Sequence, residues 1–393
     1  MHSLLQPAIG NLTLTFAIVG SLTISARGEI DEELAASPPV NEEKRSFHDP
    51  LDGCFDLSEF IKEPLGFVPV VMPITEPAVG YGAGGALVFI SPNEPTSSGQ
   101  YVRPNLTLLG GMATENGTRG YFGMHIGSWF EDKLQTRVAV YDVSANLDFY
   151  SIGDIDLNGD VGYNLDTRGI FLEGMYRVGE SKWMLGGSYD YSETKAKFDI
   201  PNLPGLSQLE KRNNFGGLSV IVDYDSRNNF FTPTGGVNFE TKYTFFDPAL
   251  GSDDEFQLLD LTLMNHHQWC DKWTFSLLAS YQESFGDAPF YRQPYVSLRG
   301  VPMRKYQANR VAFSEAELRW QFLDRWSLLG FAGIGVTNDT TGMRDRTDDV
   351  VAGGFGFRYL IAREVGLHMG ADLAFSEETT AFYIQFGNAW MKE

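Results

Sequence analysis

Charged side chains are concentrated in the stretch "SLRGVPMRKYQANRVAFSEAELRW", residues 297–320, among small and apolar neighbours. Arg299 follows a leucine and precedes a glycine, a setting in which a freely solvated guanidinium is not expected. Glu315 and Glu317 lie on the same stretch, and Asp372 comes further along the chain. Such carboxylates can act as general acids and bases, or they can form structural ion pairs. We interpret them as ion-pair partners, and acid–base catalysis is the alternative.

Two other patterns could bind metal ions. His266 and His267 are adjacent, and adjacent residues of a strand face opposite sides, so the two cannot converge on one ion. The segment "DIDLNGDVGYNL", residues 154–165, opens like a calcium loop, but its twelfth position is Leu165, where such a loop needs a bidentate glutamate. We interpret it as a solvated external turn and leave calcium binding open. Zinc spacings, nucleophile elbows and phosphate loops are also missing, so apart from the open question of calcium at residues 154–165 the sequence predicts no metal site, no cofactor and no enzymatic activity.

Composition narrows the class of protein. The formal charge of −21 argues against a nucleic-acid partner, because phosphate binding needs a basic face. The 42 glycines together with 29 phenylalanines, 17 tyrosines and 7 tryptophans favour repeated strands that turn sharply over a helical enzyme. Cys54 and Cys270 are the only cysteines, and in an exported protein they could pair or remain free.

The elements that carry these residues have the period of β-strands. In "GLSVIVDY", Leu218, Val220, Val222 and Tyr224 fall on one face, and Ser219, Ile221 and Asp223 fall on the other. Similar alternation recurs from residue 66 to the C-terminus, which indicates strands with two different environments. After residue 26 the sequence has no apolar run of the roughly 20 residues that a spanning helix needs.

The connections between these strands distinguish a barrel from a soluble sandwich. Compact connections are predicted near 131–132, 179–182, 226–235, 270–272, 323–325 and 362–364. Long ones are predicted between them, near 150–162, 197–213, 247–255, 286–309 and 337–349. Short turns at one end and long loops at the other are typical of outer-membrane barrels. The sequence therefore predicts an all-β, transmembrane, antiparallel up-and-down barrel, with sixteen strands as the expected number.

The chain divides into three predicted regions. Residues 1–26 resemble a secretory signal peptide, with a single transmembrane anchor as the alternative. Residues 27–63 form an acidic, flexible leader that ends in a short amphipathic segment, which we predict to be helical. Residues 64–393 form the barrel. Its last strand places Phe382, Ile384 and Phe386 on one face, with Trp390 near the terminus, a pattern that we interpret as the signal read by the outer-membrane insertion machinery.

The barrel region resembles the BamA/TamA family of the outer membrane protein 85 superfamily, also called bacterial surface antigens. The stretch "SLRGVPMRKYQANR" is similar to that family's long inward-folded loop, whose Arg-Gly tip matches Arg299 and Gly300. "FSEAELRW" is similar to the following strand, whose Glu-x-Arg matches Glu317 and Arg319. "DGCFDLSEF" and residues 66–90 are similar to a subgroup that lacks POTRA domains.

A second group of matches lies in the turn "DYDSRNNFFTPTGG", residues 223–236. It is similar to the family's periplasmic Asp-x-Arg…Pro…Gly turn, which matches Asp225, Arg227, Pro233 and Gly235. Two positions depart from the family pattern, since Val301 replaces an aromatic residue of the tip and Gly333 replaces an acidic residue.

The resemblance implies that the tip of the long loop is folded into the lumen. Arg299 would pair there with Glu317, which points inward by strand parity, and Asp372 would be the second carboxylate. Arg304, on the same loop but outside the matched tip, is expected to contribute little.

The resemblance also implies a function at the bacterial outer membrane, namely assisting the insertion or translocation of polypeptides or lipids. Its partners would be outer-membrane lipids, assembly machinery or client polypeptides. The alternative is a passive pore or structural barrel with no assembly role. Both chain termini and the turn 226–235 would face the periplasm.

Overall fold

The computed structural model describes residues 17–18, 47–59, 67–91, 93, 105–152, 155–199, 209–340 and 346–390. Sixteen strands follow one another along the chain, and each pairs antiparallel with the next. They are β1 Val68–Ile74, β2 Gly82–Ser91, β3 Asn105–Thr114, β4 Arg119–Trp129, β5 Leu134–Ile152, β6 Ile155–Arg177, β7 Trp183–Asp199, β8 Leu209–Asp225, β9 Gly236–Phe246, β10 Phe256–Cys270, β11 Trp273–Gly286, β12 Arg310–Gln321, β13 Trp326–Asp339, β14 Arg346–Ala362, β15 Leu367–Ser376 and β16 Thr380–Phe386. The predicted all-β, up-and-down fold is thus confirmed.

The first and last strands of this sheet lie beside each other without a ladder between them. In the described part of the chain, β16 is not joined to β1 by a hydrogen-bonded register, so the sheet is not closed. Both strands span only 7 residues. A seventeenth, two-residue strand, Ala17–Ile18, pairs with Val70 and Val71 of β1. We call the junction of β1 and β16 the seam.

Alternation along the strands separates an outward apolar surface from a lumen. In β13 the exposed residues include Trp326, Leu328, Ile334 and Val336, and every second residue between them is buried. Outward side chains that remain apolar over ten or so residues are what a strand needs to face lipid. No helix in the described residues is long and apolar enough to cross a membrane.

The two ends of the barrel differ. We call the end with connections 130–133, 178–182, 226–235, 271–272, 322–325 and 363–366 the turn end, and the end with connection 287–309 the loop end. Six of the seven tryptophans are exposed in a rim at the turn end: Trp129, Trp183, Trp269, Trp273, Trp320 and Trp326. Such an aromatic girdle marks one membrane–water interface.

The prediction of a long loop at 150–162 is wrong. β5 and β6 continue as strands to Ile152 and from Ile155, and they pair up to the end of their hairpin. The Gly- and Asp-rich sequence has the composition of a turn, but the pairing of neighbouring long strands extends through it. Residues 153 and 154, and most of the connections 200–208 and 340–345, lie outside the described residues.

An apolar cap closes the lumen at the loop end. The long connection 287–309 folds inward and places Tyr291, Tyr295 and Met303 against buried residues of the extended strands, among them Leu165 and Phe215. A short 3-10 helix, Phe290–Arg292, lies within this connection, and another, Pro248–Leu250, follows β9. The predicted inward-folded loop is present in the structure.

At the turn end, residues 47–59 fold back onto the barrel. His48 and Phe55 form a β-bridge, and Gly53 takes a positive φ of 68° at the tip between them. Leu57 donates its N–H to the carbonyl oxygen of Ile361 at 2.7 Å and is buried beside that residue. We call residues 47–59 the acidic hairpin. The helix predicted to include Phe55 and Leu57 is not found there, since within this hairpin only Ser58 and Glu59 have helical backbone; Phe60 and Ile61 lie outside the described residues.

Candidate functional site

Arg299 lies inside the lumen and binds three carboxylates. Its Nη2 is 2.7 Å from Glu315 Oε1 and 2.9 Å from Glu317 Oε2, and its Nη1 is 2.7 Å from Asp372 Oδ2. The two glutamates come from β12 and the aspartate from β15, so the tip of the long connection is held against two strands of one wall. All four side chains are at least mostly buried. Sequence reasoning placed Glu315 on the inward face but did not identify it as the closest partner.

Further residues complete the surroundings of this guanidinium. The Arg299 Cζ lies 3.6 Å from the centroid of the Phe331 ring, which is a stacked cation–π geometry. Arg358 donates to Asp372 through Nη1 at 2.5 Å and Nη2 at 2.9 Å. The indole N–H of Trp390 donates to Glu315 Oε1 at 2.6 Å. Two arginines therefore share three carboxylates, and each charge has an opposite charge and hydrogen bonds.

Glycines allow the tip to approach the wall closely. Gly300 has a φ of 88°, a left-handed conformation that favours glycine, and its N–H donates to the Tyr383 hydroxyl at 3.0 Å. A Cβ at Gly333 would lie 2.9 Å from Leu298. The departure of Gly333 from the family pattern thus coincides with space for Leu298 beside the tip. Val301, the other departure, is buried in the same apolar cluster as Leu298.

A second arginine of the long connection binds a different wall. Arg292 Nη2 donates to Ser192 Oγ at 2.6 Å, and its Nη1 lies 3.8 Å from Asp190 Oδ2, both on β7. Its guanidinium also lies over the Phe215 ring, at 4.4 Å from the centroid. The connection therefore crosses the lumen and is attached at β7 by Arg292 and at β12 and β15 by Arg299. No motif marked Arg292 in the sequence.

Arg304 is a buried residue of the long connection. It is 5% exposed, has a positive φ of 63°, and donates from Nη2 to the carbonyl oxygen of Tyr291 at 2.9 Å. The expectation of a small contribution rested on its position outside the matched tip and stays a prediction, although the inward fold of the connection buries the side chain.

The turn 226–235 is ordered by an internal ion pair. Arg227 donates from Nε and Nη2 to the two carboxylate oxygens of Asp225, at 3.0 Å and 2.7 Å. Gly235 donates its N–H to Asn228 Oδ1 at 3.1 Å, and Pro233 is buried within the same turn. These four matched residues lie together, and their arrangement stabilises the turn.

The turn also reaches across the mouth of the barrel. Asn229 Nδ2 donates to the carbonyl oxygen of Val365, six strands away in the sheet, at 2.9 Å. The carbonyl oxygen of Phe231 accepts from Asn388 N at 2.7 Å. The turn end of the lumen is thus partly covered by this turn and by the tail after β16.

The residues predicted as a terminal signal are separated in space. Phe382 is exposed on the outer surface and Ile384 is half-buried, whereas Phe386 is buried. Trp390 is folded into the lumen, where its ring lies 6.2 Å from that of His266 and its N–H reaches Glu315. Only the first two of the four are therefore accessible from the outer surface.

Two arginines hold the acidic hairpin under the barrel. Arg325 contacts Asp49 at 2.6 Å, Asp52 at 2.5 Å and Asp56 at 2.8 Å, and Arg363 contacts Asp49 and Asp52 at 2.5 Å. The hydrogen bond from Arg325 holds the pKa of Asp52 well below its ordinary value. Burial by itself would raise the pKa of Asp56. Hydrogen bonds from Ser58 and Arg325 outweigh the effect of burial, and the pKa of that carboxyl is lowered.

The remaining sequence candidates are not brought together. Cys54 and Cys270 are both free and exposed. His266 is buried and faces the lumen, while His267 is exposed on the outer face, as parity requires. No cluster that could hold a metal ion occurs among the residues that the structure describes, and Asp154 lies outside them.

The Omp85 superfamily domain matches residues 99–358, two-thirds of the chain. The chain belongs to the Omp85 superfamily. No curated protein matches the sequence at a significant level.

Solved structures show the same fold for this Omp85 barrel. The crystal structure of BamA from Haemophilus ducreyi lacking POTRA domains 1–3 has a TM-score of 0.56 and 12% identity, covering 82% of this chain and 69% of that one. CdiB from Escherichia coli has a TM-score of 0.57 and 11% identity, covering 81% of this chain and 61% of that one. CdiB from Acinetobacter baumannii has a TM-score of 0.52 and 9% identity, covering 80% of this chain and 58% of that one. At these identities the similarity shows the BamA-type barrel fold alone.

The lumen of the Omp85 barrel contains a cavity of about 1050 Å³. It lies between the apolar cap and the turn 226–235, and Arg292 and Arg299 both line it. The site is therefore a cavity crossed by a loop, beside a sheet that is not sealed.

Proposed function

We propose that this protein resides in the bacterial outer membrane and assists the insertion or translocation of polypeptides or lipids there, without catalysing a chemical reaction. The observation that carries the proposal is the seam, where two seven-residue strands lie side by side with no ladder. Unpaired strand edges are templates for the addition of another strand. Elsewhere in the described sheet both edges of each strand are paired, whereas the seam edge of β1 is paired only at Val70 and Val71, with Ala17 and Ile18, so the seam is the place where a client strand could pair.

The lumen supports this function over a passive pore. The long connection crosses it and is held by buried ion pairs at two walls, and the turn 226–235 covers part of the opposite mouth. A wide, permanently open channel is not compatible with that arrangement. The seam, in contrast, opens sideways towards the membrane.

The test is reconstitution in liposomes. The folding rate of an unfolded small barrel protein added from urea is measured with and without the reconstituted protein, and ion conductance is measured in parallel. We expect faster folding with low conductance. A cysteine pair placed across the seam, in a variant whose two native cysteines are serines, should abolish the acceleration when oxidised and restore it when reduced. Conductance without acceleration would instead assign the passive-pore function.

A further inference from the structure

The acidic hairpin lies under the rim of the barrel and contacts its outer face. In β14, Phe357 is exposed on that face, and Tyr359 continues the same alternation. The Tyr359 hydroxyl donates to the carbonyl oxygen of Phe55 at 2.7 Å. Leu57 is buried against Ile361, in a cluster that also includes Tyr359. The hairpin is therefore docked on the side of β14 that faces lipid further along the strand.

This docking site is continuous with the aromatic girdle. The rings of Trp326 and Tyr359 are 4.9 Å apart, so the residue that holds the Phe55 carbonyl also packs on a tryptophan of the rim. Leu323, in the connection that carries Arg325, is 58% exposed beside the same rim. Because the girdle marks a membrane–water interface, the hairpin lies at the level of that interface.

The hairpin exposes large apolar side chains at this level. The rings of Phe47 and Phe55 stack on each other at 6.2 Å, and both side chains remain exposed. Leu51, near the tip, is 80% exposed. Three large apolar side chains exposed on one short hairpin mark a contact site. At the level of a membrane interface, such side chains are those that an interfacial segment buries among lipid head groups.

The carboxylates of the hairpin are engaged by the barrel. Asp49 and Asp56 are buried and bind Arg325, and Asp52 binds both Arg325 and Arg363. These ion pairs neutralise charges that could not otherwise lie beside lipid at low cost. Three carboxylates against two guanidinium groups give the site no excess positive charge that would attract anionic lipids. The contact with the membrane is therefore apolar.

We propose that the acidic hairpin is an interfacial membrane anchor, in which Phe47, Leu51 and Phe55 insert among the head groups of zwitterionic phospholipids at the turn end. The hairpin packs on β14 and β15, and β15 is the partner of β16, so the anchor lies close to the seam. This role goes beyond the proposed insertion activity, and it is tested without any client protein.

The first experiment locates the tip of the hairpin relative to the bilayer. The full-length protein carries an environment-sensitive fluorophore on Leu51→Cys in a Cys54→Ser/Cys270→Ser background, in phosphatidylcholine nanodiscs. Phosphatidylcholine with a spin label near the head-group end of its acyl chain is the quencher. We expect blue-shifted emission and strong quenching at this position. Glu180→Cys, exposed in the connection 178–182 at the same end, is the matched control and should show water-like emission and weak quenching.

The second experiment needs no label. Amide exchange of residues 47–59 is measured in the same nanodiscs for the unmodified protein, Leu51→Ser and Leu51→Met. Leu51→Ser should accelerate exchange about tenfold, the change that corresponds to about 1.4 kcal/mol of docking free energy. Leu51→Met keeps an apolar side chain and should leave exchange unchanged. Because Leu51 is 80% exposed in the protein itself, a hairpin that faced water would not respond to Leu51→Ser.

Three results would overturn the proposal. The first is weak and equal quenching of the fluorophores at Leu51→Cys and Glu180→Cys, which would place the hairpin in water. The second is equal amide exchange of the hairpin in Leu51→Ser and the unmodified protein. The third is efficient disulfide formation between two copies of the Leu51→Cys protein in nanodiscs, which would assign the exposed surface to a second copy of the chain.

Discussion

Arg299 is the residue on which the attachment of the long connection most depends. Arg299→Ala would leave Glu315, Glu317 and Asp372 facing one another without the central guanidinium. Removing one partner of a buried ion pair costs about 3–5 kcal/mol, and water in the lumen lowers that figure. We expect a lower melting temperature in detergent, measured by loss of the compact, fast-migrating form on unheated gels.

The control for this variant is Arg168→Ala. Arg168 pairs with Glu193 at 3.1 Å, but its side chain is 66% exposed, so the expected cost is at most about 1 kcal/mol. Arg299→Lys should recover only part of the stability, because an ammonium cannot bridge carboxylates as a planar guanidinium does. Equal melting of Arg299→Ala and Arg168→Ala would contradict a structural role for Arg299.

At the residue scale, the sequence predicts which face of a strand a side chain occupies better than it predicts the level of that side chain along the barrel axis. Strand parity places Glu315, Glu317 and Asp372 on the inner face without any structure. It cannot say which carboxylate lies at the level of a loop tip, because that depends on how far the connection descends into the lumen. Trp390 was unpredictable for a similar reason, since it lies beyond the last strand and its position depends on the tail folding inward.

The acidic hairpin is an element held mainly by charge. Arg325→Gln removes contacts to Asp49, Asp52 and Asp56 at once, so we expect residues 47–59 to exchange amide hydrogens much faster and to be cut sooner by protease. Arg363→Gln is the matched control. Its side chain is 32% exposed against 2% for Arg325, and a smaller increase in exchange is expected. A larger increase in amide exchange for Arg363→Gln than for Arg325→Gln would refute the central role of Arg325.

The hairpin also has a defined pH dependence. The pKa values of Asp52 and Asp56 are lower in the folded protein than their ordinary value of 3.8. Their contribution to stability is therefore complete above about pH 3.8 and is lost as the pH falls through the lowered values. Amide exchange of residues 47–59 should be constant relative to the barrel between pH 8 and pH 5. Release of the hairpin between pH 7 and pH 5 would show that other groups hold it.

The long connection is an element attached at both sides of the lumen. Because Arg292 and Arg299 bind different walls, removing one should leave the loop tethered, and Arg292→Ala/Arg299→Ala should free it. We expect single-channel currents in planar bilayers to remain small and quiet for each single variant and to become larger and noisier for the double variant. If the increase in current in the double variant were only the sum of the increases in the two single variants, the prediction that either attachment alone keeps the loop in the lumen would be wrong.

At the scale of the whole molecule, the barrel itself could be predicted because its evidence is local. Period-two alternation and compact turns are properties of short segments, and sixteen barrel strands are found as predicted. The extent of β5 and β6 could not be predicted, because residues 150–162 have turn-like composition and become strands only through pairing with their neighbours. The docking of the acidic hairpin could not be predicted either, since Arg325 and Arg363 are distant from it in sequence.

The orientation of the barrel in the membrane is testable with its own thiols. Cys270 is exposed at the turn end, and Glu255 is exposed at the loop end. If the turn end faces the periplasm, a membrane-impermeant maleimide should not label Cys270 of Cys54→Ser in intact cells, but should label it after the outer membrane is permeabilised. Glu255→Cys in a variant without native cysteines should be labelled in intact cells. Labelling of Cys270 in intact cells would reverse the orientation.

The distribution of tryptophans gives the barrel a built-in optical reporter. Six indoles lie in the outer rim at the turn end, and Trp390 alone lies inside, between His266 and Glu315. Brominated or spin-labelled phospholipids quench fluorophores that they touch, so they should silence the rim and leave one emitting group. The residual fluorescence then comes from a single known position beside the Arg299 ion pairs. Its emission wavelength and lifetime report the hydration of the lumen in real time.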